Sequence, residues 1–177
     1  MVELNRTYRH PRNGAEATIR RDDPDGYVFE AALPPKVGRA RGHVHLDFEQ
    51  DFHVVEGVAR LSVNGEDLEA RAGETVHVPR GTKHVDPWNA GPDRLVFRNA
   101  IAPNPPFIPA YGGTVIARLA DGRLGDAGEL APLHLAVVLH ATGGQSYAAG
   151  SIALQRALLP LLAAIGRRRG YVIEQPA

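Results

Sequence analysis

The stretch GRARGHVHLDFEQDFHVVEG, residues 38–57, decides how this chain is read. His43 and His45 stand two apart, the spacing that puts both side chains on one face of a β-strand. FHVVEG (52–57) then reads as a further strand closed by Gly57. Counted by twos along that strand, Gln50, Phe52 and Val54 point inward while Glu49, Asp51 and His53 point outward. A β-bulge would bring Glu49 to the interior instead, because a one-residue shift reverses the face of every side chain.

Downstream, GETVHVPRGTKHVDPWN (73–89) supplies His84. Pro79 and Gly81 frame a tight turn before it: proline fixes φ, and glycine accepts whatever backbone closes the loop. Such a turn can swing His84 back towards the face that carries His43 and His45.

Around these two stretches, from about residue 15 to 110, apolar runs are broken every eight to twelve residues by turn signals. That is the texture of an all-β sandwich or barrel. YVFEAALPP (27–35), ARLSVNGEDLEA (59–70), TVHVPRG (75–81) and RLVFRNAIA (94–102) read as strands, with Asn64-Gly65 as a two-residue hairpin turn. PNPPFIP (103–109) punctuates the end, so residues 1–110 read as a β domain and 111–177 as a helical extension packing on the barrel or a partner subunit. In the extension, TVIARLADG (114–122) reads as a short helix and APLHLAVVLHA (131–141) as an apolar run. SIALQRALLPLLAAIGRRRG (151–170) reads as a helix capped by Ser151, with Leu154, Leu158, Leu161, Leu162 and Ile165 on one face. Pro160 is expected to kink or interrupt it.

Composition narrows the function classes. The formal net charge is zero and no basic stripe with interleaved aromatics appears, which gives a nucleic-acid partner no electrostatic support. The absence of cysteine removes disulfides, zinc ribbons and thiol nucleophiles together. The polar N-terminal stretch has no apolar run of signal-peptide type, and a cytoplasmic location is the default expectation. A membrane-spanning helix needs roughly 20 apolar residues; neither C-terminal run offers them, since the first contains His134 and the second Gln155, Arg156 and Pro160.

The two histidine stretches resemble the two-part signature of the cupins. The first part is followed by Gly38, His43, His45 and Gly57, with four residues instead of five between Gly38 and His43. The second is followed by Gly73, Pro79, Gly81 and His84, with Asn89 one residue late. The resemblance spans roughly residues 26–102 and is silent on 110–177. It implies a mainly β fold, a double-stranded β-helix (jelly-roll barrel) followed by the C-terminal helical segment. It also implies a divalent transition metal (Fe, Mn, Ni, Cu or Zn) held by His43, His45, His84 and a glutamate. Imidazoles suit such ions, and open coordination positions would make the site catalytic.

Where the pattern has its glutamate, seven residues before Gly57, this chain has Gln50, with Glu49 beside it as the alternative. An uncharged Gln carbonyl would leave the ion its full charge, lowering metal affinity and favouring an anionic ligand. A three-histidine site with Gln50 as a hydrogen-bond partner fits equally well. Phe52, Val54 and Trp88 are candidates to line the pocket. His53 and His77 read as surface residues; His134 and His140, six apart and off helical ligand spacing, read as helix-surface or terminal residues.

Two functions follow. One is a metal-dependent enzyme acting on a small organic molecule by dioxygen activation, isomerisation or decarboxylation. The other is a non-catalytic small-ligand binding or sensor module, since fold alone does not fix function. A homodimer is expected from the resemblance and from the apolar tail.

Overall fold

On strand β5 (Glu49–Glu56), Gln50, Phe52 and Val54 are buried and Asp51 is exposed, the period-two pattern of a strand with one face on a core. The structure, a computed structural model, describes residues 2–36, 38–125 and 128–176.

β5 belongs to a six-stranded sheet in the order β1 (Thr7–Arg9), β2 (Glu16–Asp23), β3 (Gly26–Leu33), β10 (Leu95–Ala102), β5 and β8 (Thr75–Val78). The second sheet runs β11 (Ser146–Ala148), β4 (His43–His45), β9 (His84–Trp88), β6 (Val58–Val63) and β7 (Glu66–Arg71). All the pairings are antiparallel. The β6–β7 turn is Asn64-Gly65, with φ of 52° and 87°, the positive pair that a tight hairpin demands. Gly57, at φ 81°, lies so close to the next element that a Cβ would stand 2.3 Å from the Arg94 carbonyl oxygen. No side chain fits there.

Helices α1 (Phe107–Ala120), α2 (Pro132–Thr142) and α3 (Ile152–Arg168) follow β10, with β11 between α2 and α3. α1 starts seven residues before the TVIARLADG stretch, so the end of PNPPFIP is helix and the residue-110 boundary falls within it. Pro106 caps it and Pro109 lies in the first turn, where a missing N–H costs no helical bond. Phe107, Ile108, Val115, Ile116 and Leu119 of α1 share one core with Tyr8, Ile19, Tyr27, Phe48 and Ile101 of the β region. The chain beyond α1 also returns a strand: β11 pairs along β4, setting Ser146 opposite His45 and Ala148 opposite His43.

The structure bears on three further expectations. α3 runs unbroken through Pro160. His134 is not a surface residue: it is buried, its Nε2 lies 2.7 Å from the Val172 carbonyl, and its ring stacks on Tyr171. The leucine face of α3 does not pack on the barrel; Leu154, Leu158, Leu161 and Leu162 are all exposed, and Ala163 and Gly166 make the buried side. Small residues let α3 approach α2 closely, and a Cβ on Gly166 would meet the Leu133 carbonyl at 2.5 Å. Ser151 caps α3 as its sequence suggests, accepting from the Leu154 N–H.

Candidate metal centre

β4 and β9 are neighbours, and their register sets His43 directly opposite His84. The Pro79–Gly81 turn is tied to the same place, because the Gly81 N–H donates to the His45 carbonyl at 2.6 Å. Three imidazoles therefore meet inside the barrel. Ring centroids of His43 lie 4.7 Å from His45 and 4.4 Å from His84, and one potential ligand atom from each lies within 4.8 Å of the others. Phe48 stacks on His45 at 4.2 Å and Phe52 stands behind His84, which limits where the rings can turn.

Hydrogen bonds fix two of the tautomers. His43 Nδ1 lies 2.9 Å from the Arg41 carbonyl and His84 Nδ1 3.0 Å from the Thr82 carbonyl. A carbonyl can only accept, so each Nδ1 carries the proton and, in the neutral ring, each Nε2 presents a lone pair. That is the orientation a metal-binding histidine takes when its other nitrogen is anchored.

Gln50 points inward from β5 and is buried, while Glu49 is half-buried on the other face. The strand pairs regularly here, Gln50 opposite Ile101 and Val78, and the register shift falls elsewhere, between Val96 and Phe97. No bulge brings Glu49 in. Asp86, two residues beyond His84 on β9, shares that histidine's face, and sequence reading passed over it although it obeys the same alternation that paired His43 with His45. Its Oδ1 lies 3.4 Å from His84 Nε2 and 3.5 Å from His43 Nε2.

The electrostatics centre on this carboxylate. Burial would raise the Asp86 pKa, yet the surrounding His43, His84 and His45 hold it well below the carboxylate range. Burial pulls His84 down, and Asp86 more than offsets it, leaving His84 raised. His45 is pushed well below the ordinary imidazole value by burial and then by the neighbouring His43, and so stays neutral.

The residues fit a metal ion by a direct test. His45 Nδ1, His84 Nε2, Gln50 Oε1 and Asp86 Oδ1 are all sealed from solvent and have no hydrogen-bond partner. Each such unmet group costs about 1–3 kcal/mol, and a cation among them satisfies lone pairs that no nearby donor reaches. Imidazole, amide and carboxylate donors together suit first-row transition ions.

His43, His45, Gln50 and Asp86 open onto a cavity of about 400 Å³. Its remaining wall is largely apolar and comes from the β region and α1 alike, with Phe48, Ile101, Phe107, Ile108 and Val115 among the lining. Tyr111 of α1 also faces it; burial first, and then Asp86 and Glu129, push its phenol well above the usual range, so it stays protonated. The pocket-lining expectation is corrected. Phe52 and Val54 pack in the separate core with Ala59, Leu61 and Leu95, and Trp88 is buried beneath the Arg39 guanidinium; none of them borders the cavity. Asn89 is structural, its Nδ2 donating to the carbonyls of Leu33, Pro34 and Asp93. His53 and His77 lie on the outer face, bonded to Thr75 and Asp51.

Residues 29–99 match the family model of the cupin domain. The matched stretch of the barrel, rather less than half of the chain, is a cupin domain. It is similar to a conserved Klebsiella pneumoniae protein with a double-stranded β-helix domain, at 26% identity and a TM-score of 0.47 over 54% of this chain and 84% of that one. It is also similar to TT1209 from Thermus thermophilus, at 20% identity and a TM-score of 0.50 over 59% of this chain and 98% of that one. No curated protein matches the chain. Among the described residues no helix is long and apolar enough to cross a membrane.

Proposed function

We propose that this cupin binds a divalent transition metal through His43, His45 and His84, with Gln50 completing or orienting the site, and acts on a small, largely apolar organic molecule. The observation that carries the reading is the meeting of sealed, unpartnered ligand atoms at the polar end of an apolar cavity. When bound, the metal supplies Lewis-acid or redox chemistry to a substrate that chelates it. The chain's own residues supply the rest. The Arg41 and Thr82 carbonyls fix the histidine tautomers, Tyr111 is a neutral donor in the cavity, and the apolar wall from α1 excludes water. A volume near 400 Å³ suits a small organic molecule. Dioxygen activation is the leading reaction type, ahead of isomerisation and decarboxylation.

A binding or sensor module is the second reading. It is favoured by Gln50, which stands where the family's signature has a glutamate, and by the apolar cavity. Metal-loaded protein screened for oxygen consumption against small aromatic and enolisable substrates separates the two. Turnover supports the enzyme; saturable binding without consumption supports the module. Self-association belongs to the same proposal, with a second copy covering the exposed leucines of α3, because such a face on one helix favours burial against its own kind.

A further inference from the structure

We infer that Asp86 supplies the anionic ligand of this metal site, giving from β9 the charge for which β5 offers only the neutral Gln50. The inference rests on the metal-binding reading above and adds a residue that the two-part signature does not contain. Its ground is a conflict among acceptors. With Nδ1 of His43 and His84 each donating to a backbone carbonyl, both Nε2 atoms present lone pairs, and both point at Asp86 Oδ1 from 3.5 and 3.4 Å. These separations exceed the usual N–H···O range of about 2.7–3.2 Å. They lie close to the spacing of atoms that share one small ion, since ligands at about 2.1 Å from it stand roughly 3.0–3.4 Å apart.

Either added ring protons or one cation would reconcile three acceptors that face each other. A cation would also answer His45 Nδ1 and Gln50 Oε1, which are sealed and unpartnered beside the same cavity. Asp86 is suited to the role in access as well: about a third of its side chain is open to the cavity, while Oδ1 itself is sealed against the histidines. Orientation of the rings does not need it, because the Arg41 and Thr82 carbonyls already anchor them at Nδ1. A carboxylate here leaves the bound ion one unit of charge lower than a site of three histidines and Gln50 would.

The test is a titration of purified apo protein with Co²⁺ and Zn²⁺, comparing wild type with Asp86→Asn, a substitution of nearly equal shape. The affinity of Asp86→Asn is expected to fall at least about tenfold, and its Co²⁺ visible absorption bands are expected to shift, as loss of a ligand requires. Binding within twofold of wild type overturns the inference while leaving the metal-binding reading intact. Weaker binding with an unchanged Co²⁺ spectrum also overturns it, since a charge acting through space alters affinity and not ligand field. Failure of the wild type to bind either ion overturns both the reading and the inference. A crystal structure of wild-type protein soaked in Zn²⁺ gives a second check that does not depend on a variant's folding. Oδ1 within about 2.2 Å of the ion is expected, and a separation beyond about 3 Å is fatal.

Discussion

His43 and His84 face each other across the β4–β9 pair, 41 residues apart in the chain and 4.4 Å apart between ring centres. That single cross-strand pairing turns two sequence motifs into one site. His45 joins from the same strand face, and Gln50 from the opposite sheet. The cluster is held by backbone register and not by any salt bridge of the surface.

Gln50 offers the sharpest single-residue prediction. Gln50→Glu places a carboxylate where the family signature has one, among sealed and unpartnered ligand atoms. In the apo protein the buried charge is expected to cost about 1–3 kcal/mol of stability. With Zn²⁺ present the variant should exceed wild type in metal affinity by about tenfold. Thermal melts with and without metal read both signs; a variant less stable in both conditions would count against a ligand role at this position.

Glu30 gives a pH dependence away from the site. It accepts from Arg20 Nη2 at 2.6 Å and Arg98 Nε at 2.7 Å, joining β2, β3 and β10. Burial alone would raise its pKa; the two guanidiniums outweigh this and hold it below the ordinary value. Its folded pKa is therefore depressed, and the stability it contributes is present above the unfolded value of about 4.3 and lost as pH falls through the folded one. Glu30→Gln should lower stability at neutral pH by about 1 kcal/mol. Urea unfolding should show the gap closing below about pH 4, and a gap that persists there would refute the assignment.

Gly166 tests the seating of the extension. A methyl group there meets backbone, the Leu133 carbonyl, and Val137 Cγ2 at 2.7 Å, so α2 and α3 must separate. Gly166→Ala is expected to destabilise by about 1–3 kcal/mol, despite the better helix propensity of alanine. A rise in melting temperature would show that the two helices have slack.

The exposed leucines of α3 make a prediction about assembly. Wild type is expected to sediment as a dimer, and Leu158→Lys with Leu161→Lys as a monomer with unchanged metal content. A monomeric wild type at micromolar concentration would remove self-association from the proposal.

Much of this was legible in the sequence because strands report their own faces. The alternation through Gln50, Phe52 and Val54 and the turn at Asn64-Gly65 required only local geometry. Asp86 was missed although the same two-residue rule places it beside His84; a lone aspartate in an exposed-looking stretch carries no pattern of its own. How the chain beyond residue 102 packs was hidden for a different reason, although its helices and the Ser151 cap were legible. β11 completes the edge of β4 through pairing across about 100 residues, and α1 lines the cavity through packing, neither of which leaves a local signature. His134 looked like a helix-surface residue because its partner, the Val172 carbonyl, comes from the C-terminal segment beyond α3.

The most direct measurement is elemental analysis by inductively coupled plasma mass spectrometry on protein purified without a histidine tag, with His84→Ala in parallel. Near-stoichiometric Fe, Mn, Ni, Cu or Zn in the wild type, lost in the variant, is the predicted result. No bound metal in either protein, even after reconstitution, would contradict the account.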